Sequence, residues 1–397
     1  MSLTKRIQQN IDTTVNPCEN FYQYACGSWS KNNPIPEGRD TWSENHIVLE
    51  KSQRRIKELL EEHISSTDIP PVKMVKEFYR SCMDVDAIEK RGFEPIQEIL
   101  NRTGGWPMAM PISEWNEIPW QKIDKEYISS MECEAFYTVG YEIDPNNRKR
   151  YILTIDFLEI IQHMCNEANV HVNSSEPILV YNLKFLHQLV TLLGNTSQRT
   201  LVNYIQWNMV KKFMLYTTQE MRNIKLATSD NFTDTTPRWK TCLNDLEMKT
   251  AISYIFVKRY MPDYVIHEVM KMVKNMKEEL RNHLERTHWL PSSIKLDMLQ
   301  KTDDYGIEIG YPEWYKNDDA VTRYYDGLSI GSNYFQNILN ALKKKSQKLG
   351  ILRQVVKKSH WVDYPTSYNA YYYPDTNTIF LLATQLQDPY FTPRLPE

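Results

Sequence analysis

Nine histidines and six cysteines are the side chains of this 397-residue chain best suited to metal or nucleophile chemistry. The histidines stand at 46, 63, 163, 171, 187, 267, 283, 288 and 360. His267-Glu268 begins like a helical zinc motif, but Lys271 occupies the place of the second histidine. Two imidazoles reach one side of a helix only at i, i+4 spacing. His283 and His288 are five apart and on a helix point about 140° from each other, so both read as surface or packing residues. No Gly-x-Ser-x-Gly elbow, P-loop or dinucleotide fingerprint occurs. These residues therefore set the expectation of no metal site and no catalytic group within the chain.

A second kind of chemistry belongs to the backbone. Residues 368–391 read YNAYYYPDTNTIFLLATQLQDPYF. Ala370–Tyr373 and Ile379–Ala383 are runs of strand-forming residues. Pro374-Asp375-Thr376-Asn377 between them is a turn by composition, because proline presets φ and Asp and Asn bond their own backbone. A strand opening Asn-Ala and continuing in aromatics can offer N–H and C=O groups to an extended peptide.

Cysteines 18, 26, 82, 133, 165 and 242 accompany four Asn-x-Ser/Thr sequons at Asn101, Asn173, Asn195 and Asn231. Together they favour a secreted or ectodomain setting; a cytosolic chain with six free thiols is the alternative. Met1–Asn10 has no apolar core of a signal peptide, and no run approaches 18 apolar residues. A clipped N-terminus is the expectation. On a helix, Cys18, Tyr22 and Cys26 share a face, and the two cysteines lie roughly 12 Å apart by rise. That separation is too long for a mutual disulfide. Cys133 and Cys165 leave two outcomes open, a bond across a hairpin or two buried thiols.

The elements that must position these groups are mostly helical. Hydrophobic residues make up 41% and charged residues 24%, so the chain is globular. A net charge of −3 argues against nucleic acid as a partner. Ser43 to Glu62 reads as helical, and Ile56, Leu59 and Leu60, with Ile64 just beyond, line one face; Pro70-Pro71 breaks it. Val72, Val75, Phe78, Tyr79 and Cys82 form the next stripe. Ala87–Leu100 reads as one helix ended by Gly104-Gly105, and 106–120 as a rigid loop or short helix. Two strand runs flanking Pro145-Asn146-Asn147 predict a β-hairpin. Helices are expected over 178–194, 198–224, 238–260, 263–287 and 334–358, and 302–333 is turn-rich. Lys343–Lys345 read as a solvated helix face.

Pro17-Cys18-x-x-Phe21-x-x-Tyr24-Ala25-Cys26-Gly27-x-Trp29, FYRSCMD around Cys82, RWKTC ending at Cys242, Gly310-Tyr311-Pro312, and Asn369-Ala370-Tyr371-Tyr372 followed by LQDPYF resemble the neprilysin and endothelin-converting-enzyme family of zinc metallopeptidases. The resemblance covers almost the whole chain. It implies a mainly α fold: a large multi-helical domain with a β-hairpin, plus the first strands of a truncated thermolysin-like α/β catalytic domain. The implied division is 1–42 as a signature segment packing on the catalytic domain, 43–340 as the helical cover, and 341–397 as the start of the catalytic domain. Family members cut small peptides with zinc held by two His and a Glu, a further Glu acting as base on the bound water. The His-Glu-x-x-His motif lies downstream of the NAYY strand, and this chain stops at Glu397 before it. The chain alone is therefore expected to be inactive and to bind no zinc. Asn369 and Ala370 match the positions that hold the peptide backbone. Cys82–Cys242 is the implied disulfide, closing about 160 residues for about 4–5 kcal/mol. Cys18 and Cys26 would bond cysteines of the missing C-terminal catalytic region and are orphaned here. Thr41 stands where a relative has an arginine against the peptide's C-terminal side, with Arg39 two residues earlier. The implied location is extracellular or a plasma-membrane ectodomain, with any membrane anchor outside this chain. A catalytically inactive secreted peptide-binding or regulatory module is the alternative function, and an unrelated helical interaction protein a third. Strands 369–383 are expected at a bare sheet edge near the N-terminal signature, in a region poorly soluble or less ordered from about residue 365.

Overall fold

The computed structural model describes residues 3–392 apart from 38, 156–176, 228–235, 358 and 362. Cys165, Asn173, Asn231, His163 and His171 lie outside the described residues. Three short helices begin the chain: α1 (Leu3–Asn10), α2 (Phe21–Cys26) and α3 (Trp29–Asn32). Trp29 Nε1 donates to Glu44 Oε1 at 2.7 Å and ties them to α4 (Glu44–Glu61). Helix α4 buries Val48, Ser52, Ile56, Leu59 and Leu60, one face at helical spacing. Helix α4 already ends at Glu61, well before the two prolines, which start the next helix and do not break this one. Helix α5 (Pro70–Met83) has proline in its first turn, where a missing N–H costs nothing. It buries the expected stripe of Val72, Val75, Phe78, Tyr79 and Cys82.

The run over 87–100 is two helices rather than one, α6 (Val85–Arg91) and α7 (Glu94–Arg102). Gly92 separates them at φ +58°, a conformation that ends a helix and strains any L side chain. The Asp84 carboxylate accepts the Ala87 N–H at 3.1 Å and caps α6. Helix α8 (Trp120–Met131) follows the Trp- and Pro-rich loop and buries Trp120, Ile123, Tyr127, Ile128 and Met131. The hairpin of β1 (Val139–Asp144) and β2 (Asn147–Ile155) is antiparallel, with Ile143 opposite Tyr151. A two-residue strand, β3 (Ile178–Leu179), pairs parallel with β2.

Helices α9 (Leu183–Asn195), α10 (Gln198–Phe213) and α11 (Gln219–Ala227) come next. A tight turn at Met214–Tyr216 divides the helix expected over 198–224. The helix expected over 238–260 is likewise two, α12 (Arg238–Asp245) and α13 (Lys249–Tyr260). Helix α13 is buried at every residue from Thr250 to Val257, which makes it the central helix. Helices α14 (Asp263–Arg286) and α15 (Ser292–Asp304) follow. The turn-rich stretch over 302–333 contains β4 (Gly306–Gly310) and α16 (Asp318–Tyr324). Helix α17 (Tyr334–Ser346) gives way to a tighter helical turn at Gln347–Arg353 instead of running to 358. The last elements are β5 (Ala370–Tyr373) and β6 (Thr378–Leu382).

The fold is mainly α, with two small sheets among the described residues. In the second sheet the order is β4-β6-β5, with β4 parallel to β6 and β5 antiparallel to it. One hydrophobic core runs from Ile56 through α13 to Leu386, and a smaller cluster gathers Ile128, Tyr137, Tyr151 and Leu153 around the hairpin. Within the core, Tyr127 donates to Gln206 Oε1 at 2.6 Å, and Gln206 Nε2 donates to Thr103 Oγ1 at 3.0 Å. That network joins α10 to α8 and to the end of α7. Cys82 of α5 and Cys242 of α12 form a disulfide with Cα atoms 5.8 Å apart. Arg238 donates Nε and Nη2 to the Cys82 carbonyl at 3.0 and 2.7 Å, reinforcing the same joint. Among the described residues no helix is long and apolar enough to cross a membrane.

Candidate functional site

Strand β5 is the edge of its sheet, because β6 pairs with it on one side and β4 takes the far side of β6. Ala370 pairs with Leu381, and Tyr373 with Thr378. Asn369 and Ala370 are exposed. The Ala370 N–H donates to the Asn369 Oδ1 at 2.9 Å, so this edge amide is held by a neighbouring side chain that an incoming acceptor can displace. Thr378, Phe380 and Leu382 of β6 are fully buried beneath it, which fixes the strand that β5 leans on.

The loop before β5 is built around one carboxylate. Asp363 Oδ1 accepts the Tyr364 N–H at 2.7 Å and the Ser367 hydroxyl at 2.6 Å, while Oδ2 accepts the Tyr371 hydroxyl at 2.7 Å. That bond, with some burial, raises the Tyr371 pKa above the ordinary phenol value. Thr366 and Ser253 exchange a hydroxyl bond at 2.8 Å, tying the loop to α13. Beneath the sheet, Trp361 Nε1 donates to Glu308 Oε2 at 3.1 Å. Burial pushes the Glu308 carboxyl up, and that bond opposes the shift. At the far end, Tyr372 donates to Asn377 Oδ1 at 2.9 Å, and the Lys301 ammonium sits 5.7 Å from its ring centre.

The same region touches the N-terminal helices. Tyr368 donates to Asn45 Oδ1 at 2.9 Å, and Asp388 pairs with Lys51 at 3.3 Å and Arg6 at 3.6 Å. Cys18 and Cys26 are exposed free thiols, with Phe21 and Tyr22 exposed between them. Cys133 is a buried free thiol whose pKa burial raises to about 11. Asn101 and Asn195 are exposed. Arg39 lies 5.2 Å over the Trp42 ring, and Thr41 is exposed. Trp42, Lys51, Arg54, Arg55 and Tyr260 line a cavity of about 490 Å³, and no β5 residue belongs to it. Strand β5 is an end strand with Asn369 and Ala370 exposed. Sequence reasoning missed Asp363, whose role depends on three donors folding onto it; only its place ahead of Ser367 and Tyr371 hinted at it.

The model of peptidase family M13, N-terminal part, matches residues 17–163 and 154–312. The chain belongs to peptidase family M13. This is a family of zinc metallopeptidases. Membrane metallo-endopeptidase-like 1 of Mus musculus is 25% identical, over 99% of this chain and 66% of that protein. Endothelin-converting enzyme 1 of Rattus norvegicus is 24% identical, over 100% of this chain and 64% of that protein. The M13 chain described here thus spans a little under two thirds of the length of these relatives. Among solved structures, Mycobacterium tuberculosis zinc metalloprotease Zmp1 in complex with an inhibitor superposes with a TM-score of 0.76 at 15% identity, over 97% of this chain and 70% of that one. PepO of Lactobacillus rhamnosis gives 0.74 at 14% identity, over 96% and 73%. These structures share the fold.

Zinc is the metal the family implies. Among the described residues no group of three or more His, Cys, Asp or Glu could hold a metal ion. His267 and Glu268 lie on α14 with Lys271 one turn on, and a lysine ammonium has no lone pair for a metal. The described residues do not fit a zinc ion. What they offer is a backbone edge.

Proposed function

We propose that this chain is the N-terminal portion of a neprilysin-like zinc metalloendopeptidase acting on small extracellular peptides. Residues 43–340 limit access to the cleft, 1–42 pack on the catalytic side, and 341–397 begin the catalytic part. An extended peptide adds as a fourth strand on β5, its backbone held by Asn369 and Ala370. The carrying observation is that one-sided edge, with both residues exposed and the Ala370 N–H held by the Asn369 side chain. Adding a strand there gives affinity through main-chain bonds and leaves sequence choice to alternate side chains.

By itself this chain binds peptide without cleaving it and retains no stoichiometric zinc. Titration calorimetry with a short unlabelled peptide tests the binding. Asn369→Ala should weaken it about 5- to 30-fold, the loss of one or two hydrogen bonds, with no change in melting temperature because Asn369 is exposed. Unchanged affinity removes β5 from the site. Chelator-sensitive cleavage with one zinc per chain would refute the statement on activity. A secreted peptide-binding or regulatory module without chemistry is the second reading; the retained thiols of Cys18 and Cys26 count against it, because a chain that evolved without a C-terminal partner region would tend to lose them.

A further inference from the structure

Helix α9 carries apolar residues well beyond its buried face. Leu186, Leu189 and Leu193 are buried, whereas Phe185 is 45% and Leu192 63% exposed. Phe185 and Leu192 are seven residues apart and form one exposed edge of the apolar stripe. Asn195, the last residue of α9, is three positions past Leu192 and adjoins it on the helix surface. It is exposed and opens the sequon Asn195-Thr196-Ser197. At the other described sequon the surroundings differ: Gln97 and Glu98, one turn before Asn101 on α7, are exposed and polar.

We propose that Asn195 carries an N-linked glycan that shields the Phe185–Leu192 edge of α9 from self-association. This rests on the extracellular reading above. In the transfer, the Asn195 Nδ2 attacks C1 of the first sugar of a lipid-diphosphate-linked oligosaccharide. A C–N bond forms, the C1–O bond to the diphosphate breaks, the lipid diphosphate leaves with the electron pair, and one amide proton is lost. Ser197, whose hydroxyl accepts the Thr200 N–H and caps α10 in the folded chain, is still uncommitted when the emerging chain is modified. A glycan is bulky and hydrated, and an apolar edge left open otherwise favours contact between copies.

The test is secretion of all 397 residues from a eukaryotic host behind a cleavable leader. Glycopeptide mass spectrometry should find Asn195 occupied. Asn195→Gln, or enzymatic removal of the glycan, should tighten self-association about ten-fold in sedimentation velocity. Asn101→Gln should not, and adding Leu192→Ser to Asn195→Gln should restore the monomer. An unmodified Asn195 in secreted protein with Cys82–Cys242 bonded overturns the proposal and leaves the extracellular reading standing. An occupied Asn195 whose removal changes nothing also overturns it. Reduced Cys82 and Cys242 with no glycan at any sequon in protein from its natural source would overturn both.

Discussion

Asp124 should make the fold less stable as pH rises, and Asp124→Asn should remove that dependence. The side chain is fully buried on α8. One carboxylate oxygen accepts the Tyr137 hydroxyl at 2.5 Å, and the other has no hydrogen-bond partner. Burial pushes the pKa from the ordinary 3.8 up to about 6; the Tyr137 bond opposes this and Glu134 adds to it. The folded-state value lies above the unfolded one, so the folded chain binds the proton more tightly. Below the unfolded pKa both states are protonated and the group costs nothing. The penalty grows as pH passes from about 4 to about 6 and is complete above that, at about 3 kcal/mol. Between about pH 4.5 and 7.5 the unfolding free energy should therefore fall by about 2 kcal/mol on account of this one group. Urea unfolding followed by tryptophan fluorescence measures it, since Trp120 lies one turn away on the same helix. The stability difference between Asp124→Asn and the parent should shift by about 2 kcal/mol in the variant's favour over that interval. An equal difference at both pH values would refute the assignment of a buried, destabilising carboxylate. Asp245 has its pKa raised to about 6 by burial, against the bond from Tyr334 and the charges of Arg238, Lys249 and Arg222. The pH dependence that survives in Asp124→Asn should come largely from it.

Reducing the Cys82–Cys242 bridge should cost up to about 5 kcal/mol, because it frees a loop of 160 residues in the unfolded chain; denaturant midpoints with and without reductant report this, and a shift under about 1 kcal/mol would refute the entropic account. Gly310→Ala should destabilise by about 1–2 kcal/mol, because Gly310 sits at φ +79° and an added Cβ would lie 3.0 Å from the Met261 Cε; an unchanged melting temperature would count against strain at the end of β4. Asn369→Ala, by contrast, should weaken peptide binding while leaving stability untouched.

The helices of the first hundred residues were readable because their signal is local. Val72, Val75, Phe78, Tyr79 and Cys82 repeat at the helical period, and the face they mark is the face that is buried. The break at Gly92 had its sign in the sequence, a glycine three residues before Pro95, but apolar periodicity continues across it. Strand β4 had no such sign. Its five residues, bounded by Gly306 and Gly310, become a strand by pairing with Thr378–Leu382 some seventy residues on. A short parallel strand depends on a partner brought to it from far along the chain.

Residue types alone determined that this chain is mainly helical, that no complete His-x-x-x-His zinc pair lies within it, and that two strands, read as 370–373 and 379–383, flank a turn. The signature around Cys18 and Cys26 placed it in its family. Only the tertiary structure decided that β6 lies inside the sheet and β5 outside, leaving Asn369 and Ala370 exposed. It also decided that Asp124 loses its water and that Asp363 gathers three donors. Periodicity and propensity act between residues a few positions apart and can be read along a line. Which strand becomes the edge, and which carboxylate is desolvated, depends on what packs against it from residues far away in sequence.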